Sequence, residues 1–313
     1  MSTEGGTKAV LAALTANLGI ATAKFVAFAF TGSSSMLSEA IHSVADSGNQ
    51  VLLLVGGKRA QRAPDEHFQF GYSRVRYVYA FVVAIVLFSV GGLYSLYEGI
   101  HKLSHGEDLK DLNIALVVLV LALGLEGWSF RTAMREANKS RADRSLFAFV
   151  RRVRQPELPV VLLEDFGALV GLIFALFGVG MAKITGDSRW DALGAIAVGS
   201  LLVVIAVFLA IEMSAMLVGE SALPEQQAAI TKALQEASLV DRIVYLKTLH
   251  TGPDELLVAT KVAVDREVTA GEIARGIDEA EAAIRAAVPT ARYIFIEPDL
   301  FRASAPGTGL PER

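Results

Sequence analysis

Leu37-Ser38-Glu39-Ala40-Ile41-His42-Ser43-Val44-Ala45-Asp46 and Leu162-Leu163-Glu164-Asp165-Phe166-Gly167 decide how this chain is read. Both pieces lie inside long apolar stretches. A carboxylate near the middle of a bilayer costs roughly 2.5–3.5 kcal/mol on insertion scales, so such residues mark ion or proton pathways. Two acidic clusters and a histidine, on two separate apolar segments, point to a metal site within a membrane. His42 and Asp46 are four residues apart, one turn above each other on one helix face. Such a pair can grip one ion. Imidazole suits zinc, copper, nickel and iron, while carboxylate adds charge and accepts manganese or magnesium.

Glu39 shares that face, three residues before His42. It is read as an outer-shell or interfacial acid in preference to a ligand. Glu164 and Asp165 are adjacent and point about 100° apart, so they cannot both aim directly at one spot. If both bind, one reaches sideways. His42, Asp46, Glu164 and Asp165 together make the four donors of a zinc-type tetrahedron. Water in place of one would leave the site open, as transport requires.

The composition agrees with a membrane protein. The chain has 313 residues, 53% of them hydrophobic and only 20% charged, with a mean hydropathy of +0.45. Soluble domains run nearer to 25% charged. The net charge of −4 and the lack of a focused basic region exclude nucleic acid as an expected partner. There is no cysteine, which removes disulfides, thiolate zinc sites and cysteine nucleophiles. No HExxH motif and no nucleophile–base pair is visible, so an enzyme is not expected.

A spanning helix needs about 20 mostly apolar residues. Six segments qualify: 9–30, 36–57, 78–100, 112–134, 158–182 and 192–217. The second and fifth carry the acids and face a bundle interior. The first is too long for a signal-peptide core and is read as a retained span. Lys58, Arg59, Arg62, Arg74 and Arg76 follow span two. Arg135, Lys139, Arg141, Arg144, Arg151, Arg152 and Arg154 follow span four. This bias puts both termini in the cytoplasm. The basic stretch 138–159 carries Leu146, Phe147, Phe149 and Val150, so it reads equally as a segment lying on the inner leaflet and as a solvated linker.

Other polar residues in the spans have blander readings. Asn17 and Lys24 are packing groups, with Lys24 ion-paired inside the bundle, and Glu126 is an interior hydrogen-bonding residue. Asp191 suits a helix N-terminus. His67, His101 and His105 are solvated.

Beyond Leu217 the pattern changes. Residues 224–237 and 270–287 have helical periodicity. Residues 242–249, 255–264 and 292–296 read as strands, the first two split by the turn Thr251-Gly252-Pro253-Asp254. The order αββαβ predicts a small α+β, ferredoxin-like domain on the cytoplasmic side. The expected division is a transport domain 1–218, a cytoplasmic domain 219–302 and a disordered tail 303–313.

These features together resemble the cation diffusion facilitator family over about residues 8–298. The most specific piece is Thr31-Gly32-Ser33 followed by Met36-Leu37-Ser38-Glu39-Ala40-Ile41-His42-Ser43-Val44-Ala45-Asp46, similar to that family's second-span signature. Phe70-Gly71-Tyr72-Ser73-Arg74 resembles its next loop, Trp190-Asp191 the opening of its sixth span, and Ile296-Glu297-Pro298 its last strand. The resemblance implies a homodimer that exports divalent cations, most often zinc, in exchange for protons across a prokaryotic plasma (inner) membrane.

It further implies that His42, Asp46 and Asp165 are ligands. The remaining family ligand, usually His or Asp, falls on Val161. Glu164 would replace it, as in an atypical branch with Glu-Asp in the fifth span, which opens the cargo to Mn2+, Fe2+ or Co2+ beside Zn2+. The family's regulatory metal sites use histidines near the ends of the second and third domain strands. Here those places read Thr260-Lys261-Val262 and Phe295-Ile296-Glu297, so no regulatory zinc is expected. Two rival readings are a proton-coupled carrier of another solute, working without metal, and a membrane receptor or scaffold.

Overall fold

The computed structural model describes residues 3–31, 34–105, 112–141 and 145–300. The chain divides into two compact units, Met1–Leu217 and Val218–Arg313. The first is helical. Its elements are α1 (Thr3–Thr31), α2 (Ser34–Ala60), α3 (Val75–Val86), a π-helical segment (Leu87–Leu93), α4 (Tyr94–His105), α5 (Leu112–Arg141), α6 (Leu146–Arg152), α7 (Glu157–Thr185) and α8 (Arg189–Val218).

Among the described residues, five stretches are long and apolar enough to cross a membrane: Thr7–Val26, Val75–His105, Leu112–Lys139, Glu157–Thr185 and Arg189–Val218. The chain is a multi-pass membrane protein. α2 covers the expected second span but is not among the five. Asp46, Ser47, Asn49 and Gln50 lower its hydropathy, and Ser47, Asn49 and Gln50 are buried against neighbouring helices. The stretch Val75–His105, which covers the expected third span, is one continuous run broken in hydrogen-bond register by the π segment, which the apolar pattern does not reveal. Pi-helical turns are rare and occur mostly as single bulges within α-helices.

Local chemistry sets the helix ends. Pro156 precedes α7, and Glu157 puts an acid in its first turn, where the helix dipole favours one. Gly186 ends α7 with φ 71° and donates its N–H to Ala182 O at 2.8 Å, the left-handed stop that glycine adopts without strain. α8 lies against its neighbours backbone to backbone. A Cβ on Gly99 would sit 2.9 Å from Ala192 O, and one on Gly178 would sit 2.8 Å from Trp190 O. Without a hydrophobic drive between helices in lipid, such close approach supplies much of the packing. Asp191 lies in the first turn of α8, as expected, and pairs with Lys102 at 3.5 Å.

The basic stretch after span four is partly ordered. α5 runs on to Arg141, and α6 forms a short helix capped by the Ser145 hydroxyl, which accepts from Ala148 N at 3.3 Å. Between α2 and α3, Asp65 Oδ1 accepts the His67 and Phe68 amides at 2.9 and 2.8 Å, and the Tyr72 hydroxyl donates to Oδ2. These bonds hold the Asp65 carboxyl below its ordinary range.

The second unit has the order α9 (Pro224–Gln235), β1 (Arg242–Gly252), β2 (Glu255–Ala263), α10 (Ala270–Ala287) and β3 (Ala291–Asp299). β1 and β2 are an antiparallel hairpin closed by Pro253-Asp254, and β3 joins β2 in parallel after the α10 crossover. Ile230 and Leu234 of α9 and Ile284 of α10 pack on Leu256, Val258, Val262 and Ile294 of the sheet. Thr269 and Glu272 form a reciprocal capping box at the start of α10. The tail 303–313 lies outside the described residues.

One buried ion pair ties α3 to α7. Arg76 Nη1 lies 3.4 Å from Glu157 Oε1, with both side chains about nine-tenths buried. The pair lines a cavity of about 170 Å³ shared with α1 and α2. Removing the Glu157 carboxylate leaves the Arg76 guanidinium buried without this partner, at roughly 3–5 kcal/mol. Glu157→Gln should therefore lower the thermal stability of the detergent-purified protein sharply. The double variant Arg76→Gln/Glu157→Gln should recover part of the loss. Equal melting temperatures for wild type and Glu157→Gln would contradict the assignment.

Candidate metal centre

Four helices turn polar stripes towards one another. Along α1 the stripe is Asn17 and Lys24, seven residues apart. Along α2 it is Asp46, Asn49 and Gln50, and along α5 it is Glu126 and Ser129. α7 brings Glu164 and Asp165. The sets on α1, α2 and α5 recur at spacings of three, four or seven residues, which keep side chains on one helix face, whereas the adjacent Glu164 and Asp165 diverge. The residues are almost wholly enclosed: Asn17, Lys24, Asn49, Gln50, Glu126, Ser129, Glu164 and Asp165 are each at most 6% exposed. Asp46 is half-buried.

Glu164 is held from α2. Its Oε1 accepts from Asn49 Nδ2 at 3.0 Å and its Oε2 accepts from Gln50 Nε2 at 2.9 Å. Gln50 is itself fixed, its Oε1 accepting from Asn17 Nδ2 at 3.2 Å. Asp165 turns elsewhere, its Oδ2 accepting from the Ser129 hydroxyl of α5 at 2.7 Å. The two neighbouring acids thus face different helices, as their 100° offset requires. Lys24 Nζ donates to the Ser43 hydroxyl at 2.9 Å.

The acids also feel one another. Asp46 acts electrostatically on Glu126, Glu164 and Asp165, and Lys24 acts on Glu126. Four carboxyl groups on α2, α5 and α7 therefore share one low-dielectric region. Like charges this close are unfavourable unless a cation or protons intervene. Lys24 offsets one of these charges, and a divalent ion or protons can relieve the rest.

The positions singled out from sequence fare differently. Glu164, Asp165 and Asp46 lie in this region. The side chains of Glu39 and His42 lie outside the described residues, though both positions belong to α2. Val161 is fully buried and offers no donor. Among the described residues, no three His, Asp or Glu side chains already close on one point as a metal cage. Asn17 and Lys24, expected as packing groups with Lys24 ion-paired, are hydrogen-bonded inside the bundle to Gln50 and Ser43. Glu126 is buried in the bundle, as expected. Asn49, Gln50 and Ser129, the donors to the α7 acids, were not singled out as partners of those acids. The one available signal was spacing, since Asn49 and Gln50 stand three and four residues after Asp46.

The remaining histidines are apart from this region. His67 is exposed in the loop before α3, and His101 and His105 are exposed on α4, with rings stacked 4.3 Å apart. His250, on β1, is buried within the second unit.

Comparison with known proteins follows the same residues. Residues 10–218 match the family described as the cation efflux transmembrane domain. The chain is 34% identical over 247 residues to the protein named proton-coupled zinc antiporter SLC30A9, mitochondrial, of Mus musculus, covering 78% of this chain and 44% of that one. It is 29% identical over 248 residues to metal tolerance protein C4 of Arabidopsis thaliana, covering 79% and 54%. It is 26% identical over 198 residues to magnetosome protein MamB of Magnetospira sp. (strain QH-2), covering 63% and 62%. The chain thus spans only about half the length of the first two of these relatives. The match over two-thirds of its residues, on the helices that carry the buried acids, establishes that the chain belongs to the cation efflux, or cation diffusion facilitator, family.

Proposed function

We propose that this protein exports divalent metal cations in exchange for protons, with zinc the leading cargo and Mn2+, Fe2+ or Co2+ also carried. The observation that supports this reading most is the set of acids inside the helical unit, Glu126, Glu164 and Asp165 buried and Asp46 half-buried, whose summed charge exceeds that of the one buried lysine beside them, Lys24. The names of the relatives, one a proton-coupled zinc antiporter and one a metal tolerance protein, point the same way. His42, Asp46, Asp165 and Glu164 are the proposed ligands, with Glu39 outside them.

In this reading α2 is a sixth span, too polar to insert alone and sheltered by α1, α3 and α7. The arginine-rich loops support a cytoplasmic location for both termini, and the membrane in this reading is a prokaryotic plasma membrane. Binding and proton release are linked, because carboxylate and imidazole must lose protons to hold metal. An inward proton gradient therefore drives metal out. The unit from about 219 to 302 is the cytoplasmic domain through which two copies pair.

That domain carries its own cation. Lys261 Nζ lies 3.1 Å from Glu297 Oε1 and 3.0 Å from Asp299 Oδ2, across β2 and β3. The two carboxylates hold the lysine above its ordinary pKa. An ammonium group thus sits at the place where relatives are expected to hold regulatory zinc.

Three outcomes are expected. In proteoliposomes with an imposed pH gradient, zinc should move against the proton flow, and Asp46→Ala and Asp165→Ala should each abolish transport while leaving the melting curve near wild type. Transport indifferent to the gradient between pH 6 and 8 would exclude proton coupling, and transport without any metal dependence would favour a carrier of another solute. Changing Val161→His should sharpen the preference for zinc over manganese by about tenfold, since imidazole is the softer donor. A wild type that carries zinc alone would contradict the mixed-metal cargo. Calorimetry on residues 219–302 should show no submicromolar zinc site.

A further inference from the structure

Asn49 is 1% exposed. Its Nδ2 donates to Glu164 Oε1 at 3.0 Å. Its Oδ1 is also buried, and no hydrogen-bond donor reaches it among the described residues. A buried amide oxygen left unsatisfied is expensive, and folded proteins rarely keep one without a use. Turning the amide over does not remove the problem, because it would set Oδ1 against a carboxylate oxygen. The hydrogen bond to Glu164 therefore fixes which way the oxygen faces. Covalent geometry then keeps Oδ1 within roughly 5 Å of the Glu164 carboxylate. Asp46 stands one turn earlier on the same face of α2.

On α7 the proposed site relies on Glu164, whose two oxygens already accept from Asn49 and Gln50. Val161, one turn before Asp165, is fully buried and cannot bind an ion. An amide oxygen is a neutral, hard donor of the kind that oxygen-seeking cations accept readily.

We propose that Asn49 Oδ1 is a direct ligand of the transported divalent ion, supplied from α2. This rests on the reading of the acid cluster as the ion site. The same amide then does two things. Its N–H orients Glu164, and its oxygen completes the shell without adding a further negative charge. A shell with an amide oxygen and carboxylates tolerates manganese, iron and cobalt beside zinc, which gives the mixed cargo a structural cause.

The chain contains no cysteine, so Asn49→Cys introduces a unique thiol. Co2+ added to the detergent-purified full-length protein reports both binding and contact. Wild type should show the visible d–d bands of a bound Co2+. Asn49→Cys should show them together with a thiolate-to-cobalt charge-transfer band in the near ultraviolet, and its preference for Cd2+ over Mn2+ should rise by about tenfold. Bands without charge transfer, with all metals weakened alike, would reduce Asn49 to a residue that only positions Glu164, and the proposal would fall. Absence of any Co2+ bands in wild type would remove the acid cluster as a metal site and the proposal with it.

A second pair of variants guards against misfolding of the cysteine protein. Asn49→Asp keeps an oxygen and loses the N–H, whereas Asn49→Leu loses both. Co2+ affinity of the aspartate variant within about tenfold of wild type, with the leucine variant far weaker, supports ligation. Equal loss in both overturns it.

Discussion

Two amide hydrogen bonds, from Asn49 and Gln50 to the two oxygens of Glu164, are the interaction on which the helical unit depends. A carboxyl group inside a membrane protein is tolerated only if its oxygens find donors, since lipid offers none. Here the donors come from a helix more than a hundred residues away in sequence. They need support of their own, which Asn17 gives to Gln50 from α1. Asp165 is satisfied separately by Ser129 on α5. Each acid on α7 thereby recruits a different neighbour. The four helices α1, α2, α5 and α7 are brought together by polar contacts as well as apolar packing. This also explains how α2 can carry a polar stripe through the helical unit: the stripe has partners there.

Much of this arrangement was readable from the sequence, and the failures have physical causes. The apolar runs located the helices, because bilayer thickness and helical rise fix their length. The separation of Glu164 from Asp165 followed from helical geometry alone. Hydropathy could not certify α2, since a summed scale counts a satisfied amide as if it faced lipid. Nor could spacing along one helix identify donors on another: Asn49 and Ser129 look like ordinary polar residues until α7 is placed beside them. The π segment left no mark either, because its residues are as apolar as those around it.

The second unit was legible for a different reason. Its turns and caps are local chemistry. Pro253-Asp254 closes the hairpin, and Thr269 with Glu272 opens α10, each within four residues. What local chemistry could not show was the link between Lys261 on β2 and two acids on β3, which exists only once the parallel pairing sets the register. A single ammonium group is thereby shared between two acids at the end of the sheet.

The π segment in the third span has a consequence for how this protein can vary. Its two flanks answer to different neighbours. Arg76, before it, must meet Glu157 of α7, and Gly99, after it, must meet the backbone of α8. Each residue added or removed between them turns one flank about 100° relative to the other. A single deletion there would leave a perfectly good apolar helix of spanning length, yet swing either the arginine or the glycine out of its contact. Twenty-three steps separate Arg76 from Gly99 (99 − 76), and that count, together with the π segment within it, sets the rotation between the two contacts.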